Sequence, residues 1–425
     1  MNYQQAMEYI SNLELNKGSV LGLEPIRNLL KRLGNPQDEL SVIHIAGTNG
    51  KGSTQAFLLG VLKEAGYQVG SYISPTIFQY RERIQIGGTY ISEEEISALF
   101  TRIVPIVEEM KANGEGSPTA FEIETAISFL YFKEKKVDFV LLETGLGGRE
   151  DATNVVLKPI CSVITNVSMD HMGILGNTLE EISREKAGII KEGCSIILGI
   201  NEERVVKVVS QVAKEKQAPL YFVKKEILTL KQSGITKQTL SYKEYEEIEI
   251  SLGGNYQIDN AATALEVLSY LKTRYPITEP NIRAGMSKTK WQGRFEVIKE
   301  TPLVIRDGAH NEAAARALEE SIKEHFTNKK ITYIMGMLRD KEFEKVIAIT
   351  APYASRIYTI STEGKRGLDA KVLAKEAKQY CENVIPLASP KKALEEAIHS
   401  CEPEEVIIIF GSLSYIGNLE DRSGI

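Results

Sequence analysis

The stretch SVIHIAGTNGKGSTQAFLLGVL, residues 41–62, decides how the rest of the chain is read. It opens with an apolar run, SVIHIAG, that reads as a buried strand, and from Ser53 to Ala65 it continues with helix-forming residues. The common phosphate loop has the form G-x-x-x-x-G-K-S/T. Here Gly50-Lys51 is followed by Gly52, the Ser53 hydroxyl comes one place late, and Gly47 stands too close to Gly50. Strand, glycine-rich turn and helix are still the context that a phosphate loop requires. Glycines let backbone N–H groups curl toward an anion, and the helix N-terminus adds partial positive charge. Lys51 would reach the terminal phosphates, and Ser53 or Thr54 would turn a hydroxyl toward Mg2+. A plain strand-to-helix turn uses glycines for geometry but needs no lysine between two of them. The loop alone leaves kinase, GTPase and ligase open.

Outward from this loop, apolar runs alternate with helical patterns. YQVGSYIS (67–74), KVDFVLLETG (136–145), ICSVITNV (160–167), CSIILGI (194–200) and PLYFV (219–223) read as strands. TLEEISREKAGIIK (178–191) starts a helix at Thr178, with Glu181 completing a capping box. Such alternation predicts an α/β fold with a mainly parallel sheet. Residues 225–252 alternate polar and apolar with no helix between, which predicts a small antiparallel patch, and 255–271 reads as a helix. The alternation restarts near Thr301 and runs to EEVIIIFGSL, a second α/β unit. A chain of 425 residues exceeds one ordinary core. The expected division is 1–294 and 295–425, with the join in TKWQGRFEVIKE (289–300).

A net charge of −6 gives no general attraction to nucleic acid or to an anionic membrane surface. No apolar run approaches the roughly 18 residues that span a bilayer, and MNYQQAMEYI lacks the apolar segment of a secretory leader. Cys161, Cys194, Cys381 and Cys401 are scattered without C-x-x-C spacing, and Cys161 and Cys194 are expected as buried free thiols. A cytoplasmic protein is expected.

Polar residues at strand ends supply the rest of the expected site. Glu143 ends an apolar strand, at the carboxyl edge where open α/β sheets bind ligands. A carboxylate there suits Mg2+, which prefers hard oxygen donors. His171 follows another strand at the same edge. Lys186, between Glu185 and the helix end, reads by itself as surface charge pairing. DHMG (170–173) imitates the D-x-x-G of GTPases, but no N-K-x-D guanine reader follows, so the match reads as coincidence. In the second unit, Asp307, His310 and Asn311 follow an apolar strand, and Arg294 lies near the join. These two half-sites suggest a nucleotide clamped between domains.

Eight motifs in order, GTNGKGS (47–53), SPTIFQYRERI (74–84), TAFEIETA (119–126), LETGLGGREDATN (142–154), TNVSMDHMGILGNTLEEISREKAGIIK (165–191), GNYQIDNAATAL (254–265), WQGRF (291–295) and DGAHN (307–311), resemble those of folylpolyglutamate and dihydrofolate synthases of the Mur ligase superfamily. That family's phosphate loop has the form G-x-x-G-K-G-S/T, which accounts for the shifted spacing. The resemblance implies a P-loop ATPase domain carrying the folate site and a C-terminal Rossmann-like glutamate ligase domain, with ATP between them. It implies ATP contacts at Gly47, Asn49, Gly50, Lys51, Gly52, Ser53, Thr54, Asn260, Arg294, Asp307 and His310, with Asn260 near the adenine. It implies Mg2+, at one or two positions, on Ser74, Glu143 and His171. Lys186 matches a lysine often carbamylated in the family, which overrides its surface reading, and Lys51, Lys186 and His171 become the catalytic set.

The implied reaction joins L-glutamate to the γ-carboxylate of a reduced folate through an acyl phosphate, and dihydropteroate is a second acceptor to test. The family is largely monomeric, so a monomer is expected. One departure is Ser74-Pro75-Thr76, where many members read S-P-H. Two other readings stand beside this one. A cell-wall Mur ligase would need a UDP-binding domain for which about 40 leading residues leave little room. A P-loop switch protein would turn over nucleotide without any amino acid.

Overall fold

The computed structural model describes residues 1–17, 22–362 and 364–419. Its strands form an eight-stranded sheet, a three-stranded antiparallel patch and a six-stranded sheet. The first sheet runs in the order Thr89–Tyr90, Ile84–Ile86, Val69–Tyr72, Phe139–Glu143, Val42–Ala46, Cys161–Ile164, Ser195–Leu198, Leu220–Phe222. The two strands at the Thr89 edge pair antiparallel and the other six run parallel. All five residues of Val42–Ala46 are buried, as a central strand covered on both faces demands. His44, in its middle, gives Nε2 to Thr153 Oγ1 at 2.8 Å, and burial pushes its imidazole down to about 3.

Both neighbours of Val42–Ala46, Phe139–Glu143 and Cys161–Ile164, come from later in the chain, and the chain crosses to opposite sides of that strand. The carboxyl end of Val42–Ala46 is therefore a topological switch point, the place where such sheets open a ligand crevice. The phosphate loop emerges there.

The helix after the loop, Lys51–Glu64, starts two residues before the expected Ser53. It is gripped by helix Glu279–Lys288, and a Cβ on Gly285 would stand 2.4 Å from Val61 Cα. No side chain larger than hydrogen fits at Gly285, so the glycine sets the closeness of the two helices. The capping box predicted at Thr178 is present, with Glu181 N donating to Thr178 Oγ1 at 3.2 Å.

Residues 229–250 form the expected antiparallel patch. PLYFV holds a strand as expected, Leu220–Phe222, but at the sheet edge, where Tyr221 and Phe222 stay about two-fifths exposed. Of the two thiols expected to be buried, Cys161 is; Cys194 is only half-buried.

The six-stranded sheet, Glu296–Glu300, Leu303–Asp307, Val406–Gly411, Ile331–Gly336, Arg356–Ile360, Val384–Leu387, is parallel apart from its first strand. It has its own cores, one around Phe295, Tyr333 and Phe410 and one around Tyr358 and Ile409.

Candidate active site

A cavity of about 1220 Å³ lies where the carboxyl ends of the two parallel sheets face each other. Its floor is the phosphate loop. Gly50 has φ +85°, and a Cβ there would stand 2.2 Å from Asn260 Oδ1. The left-handed backbone favours glycine, and any side chain there would also have to displace the Asn260 amide. A Cβ on Gly52 would likewise meet the Trp291 ring at 2.7 Å. The loop is tied to the next strand end, with Thr48 N donating to Asn166 O at 2.6 Å and Thr165 Oγ1 donating to Asn49 O at 2.7 Å.

Lys51 Nζ folds over this floor. It donates to Gly47 O at 3.1 Å and Thr48 O at 3.4 Å, and lies 3.7 Å from Glu143 Oε1. Ser53 lines the cavity and its Oγ accepts from Gln257 Nε2 at 3.1 Å. Thr54 is fully buried and does not line the cavity, so of the two hydroxyls only Ser53 faces it. Asn260 packs against the loop at Gly50, and its Nδ2 donates to Gln257 Oε1 at 2.9 Å.

Ser74 and Glu143 line the same cavity. Ser74 Oγ is buried with no hydrogen-bond partner. Glu143 is 5% exposed; burial raises its carboxyl, opposed by Lys51 and Arg294. Arg294 also lines the cavity, from the join. Thr76, just past Pro75, lines it too.

Lys186 is not on the surface. It is 4% exposed, and its Nζ donates to Gly47 O at 2.9 Å, beneath the phosphate loop. Burial, with Lys51 nearby, pushes its ammonium down to about 7. A charge-pairing pattern on a short helix looks the same whether its face meets water or a loop distant in sequence. Sequence periodicity by itself therefore carried the wrong sign for Lys186.

From the other unit, Asp307 lines the cavity with its carboxylate held in place by three hydrogen bonds. Its Oδ2 accepts from Tyr256 Oη at 2.6 Å and from Phe295 N at 2.9 Å, and its Oδ1 accepts from Ala309 N at 2.8 Å. His310 Nδ1 pairs with Gly308 O at 2.7 Å, leaving Nε2 3.8 Å from Asp170. Asn311 caps helix Glu312–His325 through Ala314 N and exchanges amide hydrogen bonds of 3.2 and 3.3 Å with Asn49. The phosphate loop thus touches the second unit directly.

Asp170, set aside as a coincidence in DHMG, is the hub between the units. Its carboxylate accepts from Lys341 Nζ at 2.6 Å and Asn311 Nδ2 at 3.0 Å. His171 turns into the left-handed region, φ +52°, and its Nε2 meets Lys341 Nζ at 3.2 Å. Burial and Lys341 push both His171 and His310 down to about 4, so both rings are neutral at neutral pH. Reading missed Asp170 and Lys341. Asp170 had one available signal, its place after a strand at the sheet's carboxyl edge; Lys341 had none. Among the described residues no group of three His, Cys, Asp or Glu side chains is close enough to hold a metal by itself, and no helix is long and apolar enough to cross a membrane.

Known proteins match this chain over its length. Residues 45–268 match the Mur ligase middle domain, and 293–413 match the Mur ligase glutamate ligase domain. A Bacillus subtilis protein, dihydrofolate synthase/folylpolyglutamate synthase, is 38% identical over 432 aligned positions, covering 99% of each chain. Mycobacterium tuberculosis folylpolyglutamate synthase complexed with ADP superposes with a TM-score of 0.89 at 27% identity, over 98% of both chains. Escherichia coli FolC in complex with DHPP and ADP superposes with a TM-score of 0.86 at 32% identity, over 97% of this chain and 96% of that one.

Proposed function

Because the chain belongs to the dihydrofolate synthase/folylpolyglutamate synthase family of Mur ligases, we propose that it uses ATP to join L-glutamate to the γ-carboxylate of a reduced folate. The observation that carries this reading is the cavity between two α/β units, with Lys51 and the glycine loop on one wall and Arg294 and His310 on the other. On this reading residues 1–294 hold nucleotide and folate and 295–425 form the glutamate ligase domain. The protein works as a monomer in the cytoplasm.

A carboxylate is a poor acyl donor, because its leaving group would be oxide. The acceptor γ-carboxylate therefore takes the γ-phosphoryl group of ATP, giving an acyl phosphate and ADP. The α-amine of glutamate then attacks the acyl carbon, loses a proton, and expels phosphate as the amide forms. Lys51 neutralises charge on the phosphoryl oxygens during transfer. Gly47, Asn49, Gly50, Gly52 and Ser53 cradle the phosphates, Asn260 lies toward the base, and Arg294, Asp307 and His310 close from the C-terminal side. Walls from both units exclude the water that would hydrolyse the acyl phosphate.

Mg2+ fits the donors present: Ser74 Oγ is buried without a partner, and among the described residues the buried Glu143 carboxylate has Lys51, at 3.7 Å, as its nearest counter-charge. With His171, these residues would hold the ion, at one or two positions, and the bound ion would supply charge neutralisation at the phosphates.

Lys186, pushed down to about 7, has a substantial neutral amine fraction at neutral pH, the form that captures CO2 as a carbamate. The carbamate would be an anion whose oxygens order metal and substrate. Protein incubated with 13C-bicarbonate is expected to give one carbamate carbon signal by NMR that is absent from Lys186→Arg. The same signal persisting in the variant removes the assignment.

The test of the whole reading is mass spectrometry of the products from ATP, Mg2+ and L-glutamate, with tetrahydrofolate and dihydropteroate offered separately. A gain of one glutamyl unit on tetrahydrofolate is expected, and a gain on dihydropteroate makes the enzyme bifunctional. No gain on either acceptor with folded, ATP-binding protein overturns the reading.

A further inference from the structure

Arg294 reaches the cavity from a constrained piece of backbone. Its two neighbours both lie in the left-handed region, Gly293 at φ +69° and Phe295 at φ +46°. Glycine takes that region freely, but a bulky aromatic residue stays there only when its surroundings fix it. Two carboxylates do the fixing. Glu296 Oε2 accepts from Gly293 N at 2.7 Å, and Asp307 Oδ2 accepts from Phe295 N at 2.9 Å. The N–H before Arg294 and the N–H after it are thus both held. The Phe295 ring is 1% exposed and lies 6.5 Å from the Phe326 ring.

Glu296 is anchored in its turn. It sits opposite Arg306 on the neighbouring strand, and Arg306 Nε and Nη2 donate to the same Oε2 at 3.0 and 2.8 Å. Arg306 is 1% exposed, a burial that arginine accepts only when paired. Its guanidinium lies over the Phe78 ring, 4.8 Å from the centroid. Phe78 belongs to the first unit, in the loop that follows Ser74. Glu82 gathers that loop, accepting from Ile77 N, Phe78 N and Gln79 N at 2.7, 2.8 and 2.7 Å. Ile77 packs against the core around Tyr358 and Ile409. Glu296 and Arg306 themselves stay outside the cavity lining.

We infer that Glu296 and Arg306 are positioning residues for Arg294: the pair locks the turn 293–296 so that the Arg294 guanidinium stands ready for nucleotide phosphates. An arginine on a loose turn would lose both side-chain and backbone freedom on meeting a phosphate, and that loss would weaken binding. Here the turn is ordered beforehand. Arg294 Nη1 donates to Gly293 O at 3.3 Å, so the same turn also steadies the guanidinium. Arg306 adds a second connection, because the ring beneath it belongs to the loop that brings Ser74 to the opposite wall. This assignment rests on the ATP site of the reading above and adds the residues that hold its arginine in place.

The experiment is a double-mutant cycle on the full chain: wild type, Glu296→Ala, Arg294→Ala and the two together. Calorimetry gives the Kd of an ATP analogue with a methylene bridge between its β and γ phosphorus atoms. Arg294→Ala is expected to weaken the analogue about thirtyfold and Glu296→Ala about tenfold, the scale of charge-assisted hydrogen bonds lost or misaligned. With Arg294 already gone, Glu296→Ala adds less than about twofold, because its effect passes through Arg294. In glutamylation assays the KM for ATP follows the same pattern and the KM for tetrahydrofolate holds. Glu296→Ala leaves Arg306 buried without its partner, so Glu296→Ala with Arg306→Leu is made as well, with a thermal melt as control. This apolar pair repeats the tenfold loss and the same non-additivity. Wild-type affinity in either Glu296 variant, or losses that multiply to about three-hundredfold, overturns the inference. Binding needs no acceptor, so a wild type that binds the analogue but glutamylates no folate removes the ligase reading alone, and the cycle still decides the pair. A wild type that does not bind the analogue removes both.

Discussion

Lys51→Ala is expected to lower product formation by about three orders of magnitude, the scale seen when a preorganised charge donor is removed from a transition state. The chain should still fold. Lys51 Nζ donates to two carbonyls of its own loop, Gly47 O and Thr48 O. After its loss Gly47 O is still held by Lys186 Nζ, and Thr48 N is still held by Asn166 O. What disappears is the cation proposed to meet the phosphates, and with it Glu143's buried carboxyl loses a neighbouring charge that favours ionisation. Turnover measured by mass spectrometry, with a thermal melt as control, decides the point. A variant that keeps turnover within about tenfold of wild type would remove Lys51 from the chemistry.

Asp170→Asn is the second large effect. Asp170 and Lys341 are 10% and 7% exposed, and the pair crosses between the two units. Leaving a buried charge without its partner costs about 3–5 kcal/mol. Burial works to raise the Asp170 carboxyl, but Lys341, His171 and His310 together hold it far below the ordinary carboxylate range. A carboxyl depressed on folding stabilises the folded state above its unfolded pKa of about 4, and that stability fades as pH falls from there toward the folded value. The deficit of Asp170→Asn in denaturant unfolding should therefore be full at neutral pH and shrink below about pH 4. A deficit of equal size at neutral and acid pH would mean that the carboxylate charge is not what joins the units. Activity should fall as well, because Lys341 and Asn311, from the other unit, are both hydrogen-bonded to this carboxylate.

Much of the molecule was legible because its signals are local. Phosphate-loop glycines, the capping box at Thr178 and the alternation of apolar runs each operate over a few residues, where backbone sterics and hydrogen bonding act directly. The antiparallel patch was legible for the same reason, since period-two alternation is a property of one strand. Gly285 shows the boundary. It reads as an unremarkable residue in a helix until Val61, far away in sequence, comes within 2.4 Å of where its Cβ would be.

By itself the sequence determined the α/β class, the phosphate loop, the antiparallel patch and, through eight ordered motifs, the family. Tertiary structure alone decided which titratable groups work in water and which out of it. Lys186 has the sequence surroundings of a surface lysine, yet it lies beneath Gly47 and loses much of its basicity. Asp170 looked like an accident of spelling, yet it takes hydrogen bonds from a lysine and an asparagine across the cleft. Glu124 and Arg83 lie about 40 positions apart and meet at 3.3 Å, Glu124 buried and Arg83 nearly so. The reason is common to all three. Desolvation and Coulomb energy depend on distance and burial in the folded chain, and a residue's neighbours in sequence report neither.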